Sequence, residues 1–303
     1  AQNISAGSDL NAEAVNITAE NITAGGKATL NAGTDLFANN VNVSGDANIA
    51  AGTQLIAQNV TAGGNTTLNA GTQLTAHDVS VGGDLNAKAQ NITATSVTGK
   101  GNAVLTADKD VTLAGGISAK RNAQLTAGEN VTLGGKSDVG ETLTAQVGKD
   151  LAVNGTIATG KDFVAHVGNN AVTNGIVTTS GALKWNVGND LTANAAVLSH
   201  GRATIDAQNV NLTADLMSDK NLAITAKNNI ITKEGANLST KSDGRLKAHT
   251  ADLGGDVHAD GTLTIETDEQ LAAKNITAGG KATLNAGTDI TVNDVTVGGN
   301  LNA

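Results

Sequence analysis

A period of about twenty residues constrains this chain more than any other feature. Anchored on Leu30 in "ATLNAGTDL", equivalent positions fall at Leu10, Leu30, Ile49, Leu68, Leu85, Leu105, Leu125, Ala145, Ala165, Trp185, Ile205, Ile224, Leu246, Ile265, Leu284 and Leu301. Most steps are 19 or 20 residues, with extremes of 17 and 22. A fixed period of this size marks an array in which each repeat is one supersecondary unit that stacks on its neighbours. The phrase NITAGGKATLNAGTD stands at Asn21–Asp35 and returns unchanged at Asn275–Asp289. The same local geometry is therefore written near both ends of the sequence.

One unit runs from Lys27 to Asp46, "KATLNAGTDLFANNVNVSGD". Ala28, Leu30 and Ala32 alternate with Thr29 and Asn31; Leu36 heads a second alternating run; Val41 and Val43 alternate with Asn42 and Ser44. Alternation with period two, rich in β-branched residues, is the strand signal. Leu36 and Val41 differ by an odd number, so the chain must turn between them. Gly33-Thr34, Asn39-Asn40 and Ser44-Gly45-Asp46 supply turn-forming residues at three corners. Abundant Gly, Thr, Val and Asn argue against helix. The expected fold is all-β: a right-handed parallel β-helix with three short strands and 19–20 residues per coil, in about 15–16 coils. Fifteen inter-coil steps would make a rod about 70 Å long. Asn21, Asn40, Asn59 and Asp78 recur every 19 residues, as do Asn275 and Asp294, and are expected to form a side-chain amide ladder. Trp185 lies on the anchor column behind Ala145 and Ala165 and is expected inside.

Composition narrows the function. The chain has 37 Gly, no Pro, Cys or Tyr, two Phe and one Trp, so its core must be aliphatic. Net charge is −9 with Lys and Arg scattered, which offers nucleic acid no basic stripe. Without Cys there is no disulfide framework and no thiolate metal site. No apolar run approaches the twenty residues of a membrane-spanning helix. One array is expected to fill 1–303, most irregular over 234–260. "GGDLNA" at Gly82–Ala87 resembles "GGNLNA" at Gly298–Ala303, and no amphipathic cap is visible. The expectation is a fragment of a longer rod.

The units "AGTDLFANNVNVSGDANIA" (32–50), "ADKDVTLAGGISAKRNAQLT" (107–126) and "AGENVTLGGKS" (127–137) resemble the repeats of the filamentous haemagglutinin family of two-partner-secretion exoproteins. The resemblance covers essentially the whole chain and departs most between Glu234 and Asp260. It implies a β-helical shaft on the surface of a Gram-negative bacterium, exported through a dedicated outer-membrane transporter. Members act as adhesins, haemagglutinins or haemolysins, or as stalks for contact-dependent growth-inhibition toxins. The receptor-binding, toxin and secretion parts would lie outside this sequence. Some members are glycosylated at Asn-x-Ser/Thr; here such triplets begin at Asn3, Asn21, Asn42, Asn59, Asn91, Asn130 and Asn211, and alternating strands generate them without selection.

No catalytic motif is present: HExxH, Walker A, GxSxG and the GGxGxD calcium repeat are all missing. His77, His166, His200, His249 and His258 are isolated and read as outward positions. The strongest cluster is His249, Asp252, Asp256, His258 and Asp260, a donor set suited to a divalent ion, against the plainer reading of a polar surface on an irregular coil. The sequence therefore assigns no catalytic, cofactor or metal residue and no cofactor. The expected function is a non-enzymatic shaft of a secreted, cell-surface exoprotein. The alternatives are a carbohydrate-active β-helix enzyme and an ice-binding solenoid. Sparse aromatics count against the first, and outward ranks that mix Thr with Asn, Asp, Lys and Ser count against the second.

Overall fold

The computed structural model describes residues 1–303, which divide into two compact units, Ala1–Gly148 and Lys149–Ala303. No helix occurs in either. Both are β-solenoids, stacks of the parallel coils that the repeat predicts.

In the first unit each coil begins with a five-residue strand such as Ala28–Ala32 or Ala47–Ala51. Through Gly99 the expected second and third strands run together: Asp35–Val43 and Gln54–Ala62 are continuous nine-residue strands. Asn39 and Asn40 are both exposed within the first of these, and the inward alternation resumes at Val41 on the opposite phase. The corner demanded by the odd spacing is thus a bend of two outward residues inside an unbroken strand. Register is strictly parallel, Leu36 on Leu55 and Val41 on Val60. Inward positions are Ala, Val, Leu and Ile, nearly all fully buried, which gives each coil its hydrophobic contribution.

The register corrects three anchors. Ala12, not Leu10, pairs with Leu30; Ala87, not Leu85, lies between Leu68 and Leu105; and Ala282 pairs with Leu301. A shift of two residues leaves the inward face unchanged, so parity alone could not separate the candidates. The hydrogen-bonded ladder does. It also shows where length varies. Val15-Asn16 and Gln90-Asn91 are corners with only two residues between inward positions, against three in Gly71-Thr72-Gln73. Strands hold register and corners absorb insertions and deletions.

From Ala103 the same unit changes style, to strands of five, three and three residues: Ala103–Ala107, Val111–Leu113, Ile117–Ala119. Ala94 pairs with Leu113 and Val97 with Ile117, so one residue has been added at the bend. Ala114-Gly115-Gly116 now forms a turn, with Gly116 at φ 86° and its N–H 3.3 Å from the Leu113 carbonyl. That φ is in the left-handed region open to glycine.

The second unit continues the five-three-three plan in Phe163–Val167, Ala171–Thr173 and Val177–Thr179. Trp185 is inside, 4% exposed, paired in register with Ala165 and Ile205. Its ring meets Phe163 edge-on at 5.8 Å, a favoured aromatic geometry. Its Nε1 has no hydrogen-bond partner. Irregularity concentrates around Lys233–Asn237, where Leu216 pairs with Leu238, a step of 22. Gly235 takes φ 80° there. The inserted segment lies against Gly254 and Gly255, where any Cβ would meet the Thr232 and Ala236 carbonyl oxygens at 2.8 and 1.9 Å. Register shifts also occur between Ala207 and Asn209 and between Leu253 and Asp256.

Candidate functional site

The anticipated amide ladder is formed. Asn21 Nδ2 donates to Asn3 Oδ1, Asn40 to Asn21 and Asn59 to Asn40, each at 2.8 Å. Every amide donates toward the preceding coil. Asp78 stands next in register but has no N–H to give, and its carboxylate instead meets His77 Nδ1 at 3.2 Å. In the second unit Asn275 donates to Asp256 at 2.8 Å, so an aspartate can begin such a run because it need only accept.

A second fastening was not foreseen. At many corners before a five-residue strand, an Asp or Asn oxygen accepts the backbone N–H of the same corner one coil later. Asp46 takes that of Asn65 at 2.7 Å, Asn65 that of Asp84 at 2.8 Å, and Asp84 that of Asn102 at 2.6 Å. In each pair a glycine precedes the donor. A Cβ on Gly64 would sit 2.2 Å from Asp46 Oδ1, and one on Gly101 2.1 Å from Asp84 Oδ1. Where Arg121 or Glu141 replaces that glycine, the bond lengthens to 3.3 or 3.2 Å. The recurrent Gly-Asx pair is therefore an inter-coil clasp: the glycine of one coil makes room for the carboxylate or amide of the coil before it. The sequence signal was the pairing of the Gly column with the Asx column, rather than either alone.

A third set lies inside the second unit. Thr159, Thr179, Ser199, Ser218 and Thr240 occupy one buried column. Their hydroxyls reach corner carbonyls: Thr179 Oγ1 donates to Gly181 at 3.0 Å, Ser218 Oγ to Gly201 at 2.8 Å, and Thr240 Oγ1 to Lys220. Buried polar groups must be paired in this way.

The five residues singled out as a possible metal cluster do not assemble. His249 lies 3.3 Å from Glu269 and 3.8 Å from Asp268, while His258 lies 2.8 Å from Asp260. Asp256 is engaged by the Asn275 amide, and Asp252 pairs in register with Ile231 and Ala272 in another column. No group of three His, Asp or Glu side chains anywhere could hold a metal ion.

What the structure does assemble is a charged column. Asp219 meets His200 Nδ1 at 2.6 Å and Lys241 Nζ at 2.7 Å. The hydrogen bond from Lys241, then that from His200, hold the Asp219 carboxyl below its ordinary value. The same contact raises Lys241. Asp243 is lowered by the backbone N–H and then the hydroxyl of Thr262. These exposed contacts, ion pairs at Asp219 and hydrogen bonds at Asp243, tie one coil to the next.

One open groove of about 400 Å³ lies on the first unit, bordered by Ala1 and Gln2 together with Thr18, Glu20, Phe37 and Asn39.

No family model matches the chain, and no curated protein or solved structure matches it either.

Proposed function

We propose that this chain is part of a non-enzymatic structural shaft in a large secreted exoprotein of the filamentous haemagglutinin type, displayed on a Gram-negative cell surface. The observation that supports this reading is the division of labour within a coil. Inward positions are aliphatic apart from a minority of Thr and Ser, and most polar side chains are dispersed outward, where they pair mainly with the coils above and below. Such pairing serves stacking. It leaves the carboxylates at Asp252, Asp256 and Asp260 without a shared focus.

In this role the chain extends and presents; adhesive or toxin-delivering parts would be carried elsewhere in the same protein. Its partners would be the outer-membrane transporter during export and receptors on host or neighbouring cells. The absence of cysteine suits a chain that crosses membranes unfolded.

The test combines the encoding reading frame with surface labelling. A secretion domain upstream is expected, and antibodies to this chain should label intact cells. Retention of the chain inside the cell would overturn the reading. So would turnover of an acidic or neutral polysaccharide, with or without calcium, that is lost in Asp252→Asn, Asp256→Asn or Asp260→Asn.

A further inference from the structure

We propose that Asn154 is a site of self-modification: in the folded chain its side-chain amide is lost through a succinimide formed with Gly155, while Asn174, in the same dipeptide one coil later, is held intact. The proposal goes beyond the shaft reading and does not depend on it.

The argument starts from two demands that meet at one corner. Gly175 cannot carry a side chain, because a Cβ there would lie 1.9 Å from the Gly155 carbonyl oxygen. The bend of these coils also carries an amide ladder: Asn174 Nδ2 donates to Asn154 Oδ1 and Asn194 Nδ2 to Asn174 Oδ1, each at 2.8 Å. Packing and stacking together write the dipeptide Asn-Gly. It stands at Asn154-Gly155 and Asn174-Gly175 and nowhere else in the chain; Asn194 is followed by Ala195.

That dipeptide has a chemistry of its own. The glycine nitrogen, once deprotonated by hydroxide, attacks the asparagine Cγ. A C–N bond forms, Nδ2 leaves as ammonia, and a succinimide ring closes. Water then adds to either ring carbonyl, giving aspartate or isoaspartate, in which the main chain runs through the former side chain. No cofactor or partner is consumed. Glycine favours the attack because no Cβ crowds its nitrogen and its backbone turns freely. What opposes it is every hydrogen bond that must be released before the ring can close.

The two sites differ in those bonds. Asn174 both gives and accepts in the ladder. Its corner is pinned again by Thr173, whose Oγ1 donates to the Gly175 carbonyl at 2.7 Å. Asn154 accepts from Asn174 and makes no other side-chain hydrogen bond. The register partner of Thr173 in its coil is Val153, which has no hydroxyl to pin Gly155. Gly175 is buried, whereas Gly155 is half-buried beside an exposed Asn154, so hydroxide and water reach the reacting atoms there.

The product is tolerated where it forms. Aspartate at position 154 keeps its part in the ladder, since that rung need only accept from Asn174. The extra main-chain atom of isoaspartate falls in a corner rather than in a strand, where length is free to vary. The chain therefore gains a negative charge with age and keeps its stacking.

The test is incubation of the whole chain in mildly alkaline buffer, folded and unfolded in guanidinium chloride, followed by peptide mass spectrometry. Trypsin separates the two sites, because cleavage after Lys149, Lys161 and Lys184 puts Asn154 and Asn174 on different peptides. In the folded chain Asn154 should convert about tenfold faster than Asn174, and in guanidinium the two should converge. Isoaspartate, read by electron-transfer fragmentation, should accompany aspartate. Thr173→Val should speed Asn174 about fivefold and leave Asn154 as it is. Val153→Thr should slow Asn154; if its far-UV spectrum shows that it does not fold, Thr173→Val carries the test. Three results would overturn the proposal: an Asn154 that stays intact in the folded chain while the unfolded chain converts, equal rates at the two sites in the folded chain, or aspartate formed without isoaspartate. None of these outcomes bears on surface display, so the two readings fail separately.

Discussion

The 19-residue coils of the first unit are fastened from outside, and the 20-residue coils of the second are fastened both from outside and from within. Between Ile17 and Gly99 the coils are fastened from outside. Their bends hold two residues, an exposed amide ladder runs along the bend, and Asp and Asn clasp the corner before the first strand. Between Leu151 and Ser199 the bends hold three residues, and a column of buried hydroxyls secures the corner carbonyls from within. The interiors differ too. Within the first stretch they are almost wholly aliphatic, whereas Phe163 and Trp185 fill the second. The lesson is that register is kept by the strands, and a corner needs only some partner for its polar groups. The longer coils keep outside partners as well, Asn174 and Asn194 each donating to the amide of the preceding bend at 2.8 Å, and add the buried hydroxyls to them.

The largest effect that would sharpen this contrast is at Trp185. Trp185→Ala should cost about 3–5 kcal/mol by leaving a cavity, whereas Leu55→Val in a 19-residue coil should cost about 1 kcal/mol. Denaturant unfolding followed by circular dichroism measures both. Intrinsic fluorescence adds a check, since this is the only Trp and there is no Tyr: native emission should be blue-shifted and poorly quenched by iodide. Trp185→Phe should lose far less than Trp185→Ala, because it removes the orphaned Nε1 together with the larger ring. A freely quenched native spectrum would end the claim that the second unit holds its aromatics inside.

Next in size is Thr179→Val, which keeps shape and deletes the hydroxyl. A loss of about 1 kcal/mol is expected, because the half-buried Gly181 carbonyl keeps the Gly201 N–H and the Ser199 hydroxyl but loses one donor. Val81, at the corresponding strand end in the first unit, offers the mirror experiment: Val81→Thr should gain nothing. If Thr179→Val is neutral, the buried hydroxyls add nothing to the outside fastening of these coils.

The ladder predicts an asymmetry between its rungs. Asn40→Asp removes the donor to Asn21 while keeping the acceptor for Asn59, at a cost of about 1 kcal/mol near neutral pH. That loss should shrink below about pH 4, where the acid form regains an O–H donor. Asn3→Asp changes a rung that only accepts and should be close to neutral. Equal effects at the two positions would show that the ladder has no direction.

The smallest effect is expected from the charged column. Asp219 has its folded pKa depressed, so its stabilisation is present above the ordinary carboxylate value of 3.8 and is lost as pH falls through the lower folded value. Lys241 is raised, so its share is present below 10.5 and lost as pH rises past that. Lys241→Met should therefore lower the melting temperature slightly at pH 7 and by less as the pH falls through the lowered value of Asp219. A deficit that does not shrink in acid would point to packing rather than charge.

Much of this was legible in the sequence. The period, the alternation and the odd spacing between Leu36 and Val41 are local facts, and they dictate strands, facing and a bend. The ladder at Asn21, Asn40 and Asn59 followed from the same spacing. Register within two residues did not, because Leu85 and Ala87 share a face and only backbone hydrogen bonds choose between them. The hydroxyl column was not read either, although alternation with Val177 and Val197 puts Thr179 and Ser199 on the inward phase, because a polar type at a strand end does not by itself announce a buried position. The cluster from His249 to Asp260 failed for a related reason. Proximity in sequence across a corner sends neighbours to different faces, while His200 and Lys241, far apart in the chain, converge on Asp219.

The one-way ladder also works as a grammar for growth. A coil whose bend carries asparagine can follow any coil and precede any coil, because it speaks to both sides. A coil carrying aspartate there can open a run, as Asp256 does, or close one, as Asp78 does, but it cannot relay. A gene that lengthens by copying its own repeats would propagate the asparagine form without further adjustment. The phrase shared by Asn21–Asp35 and Asn275–Asp289 is of that form. Punctuation by aspartate would then mark where separately copied passages were joined.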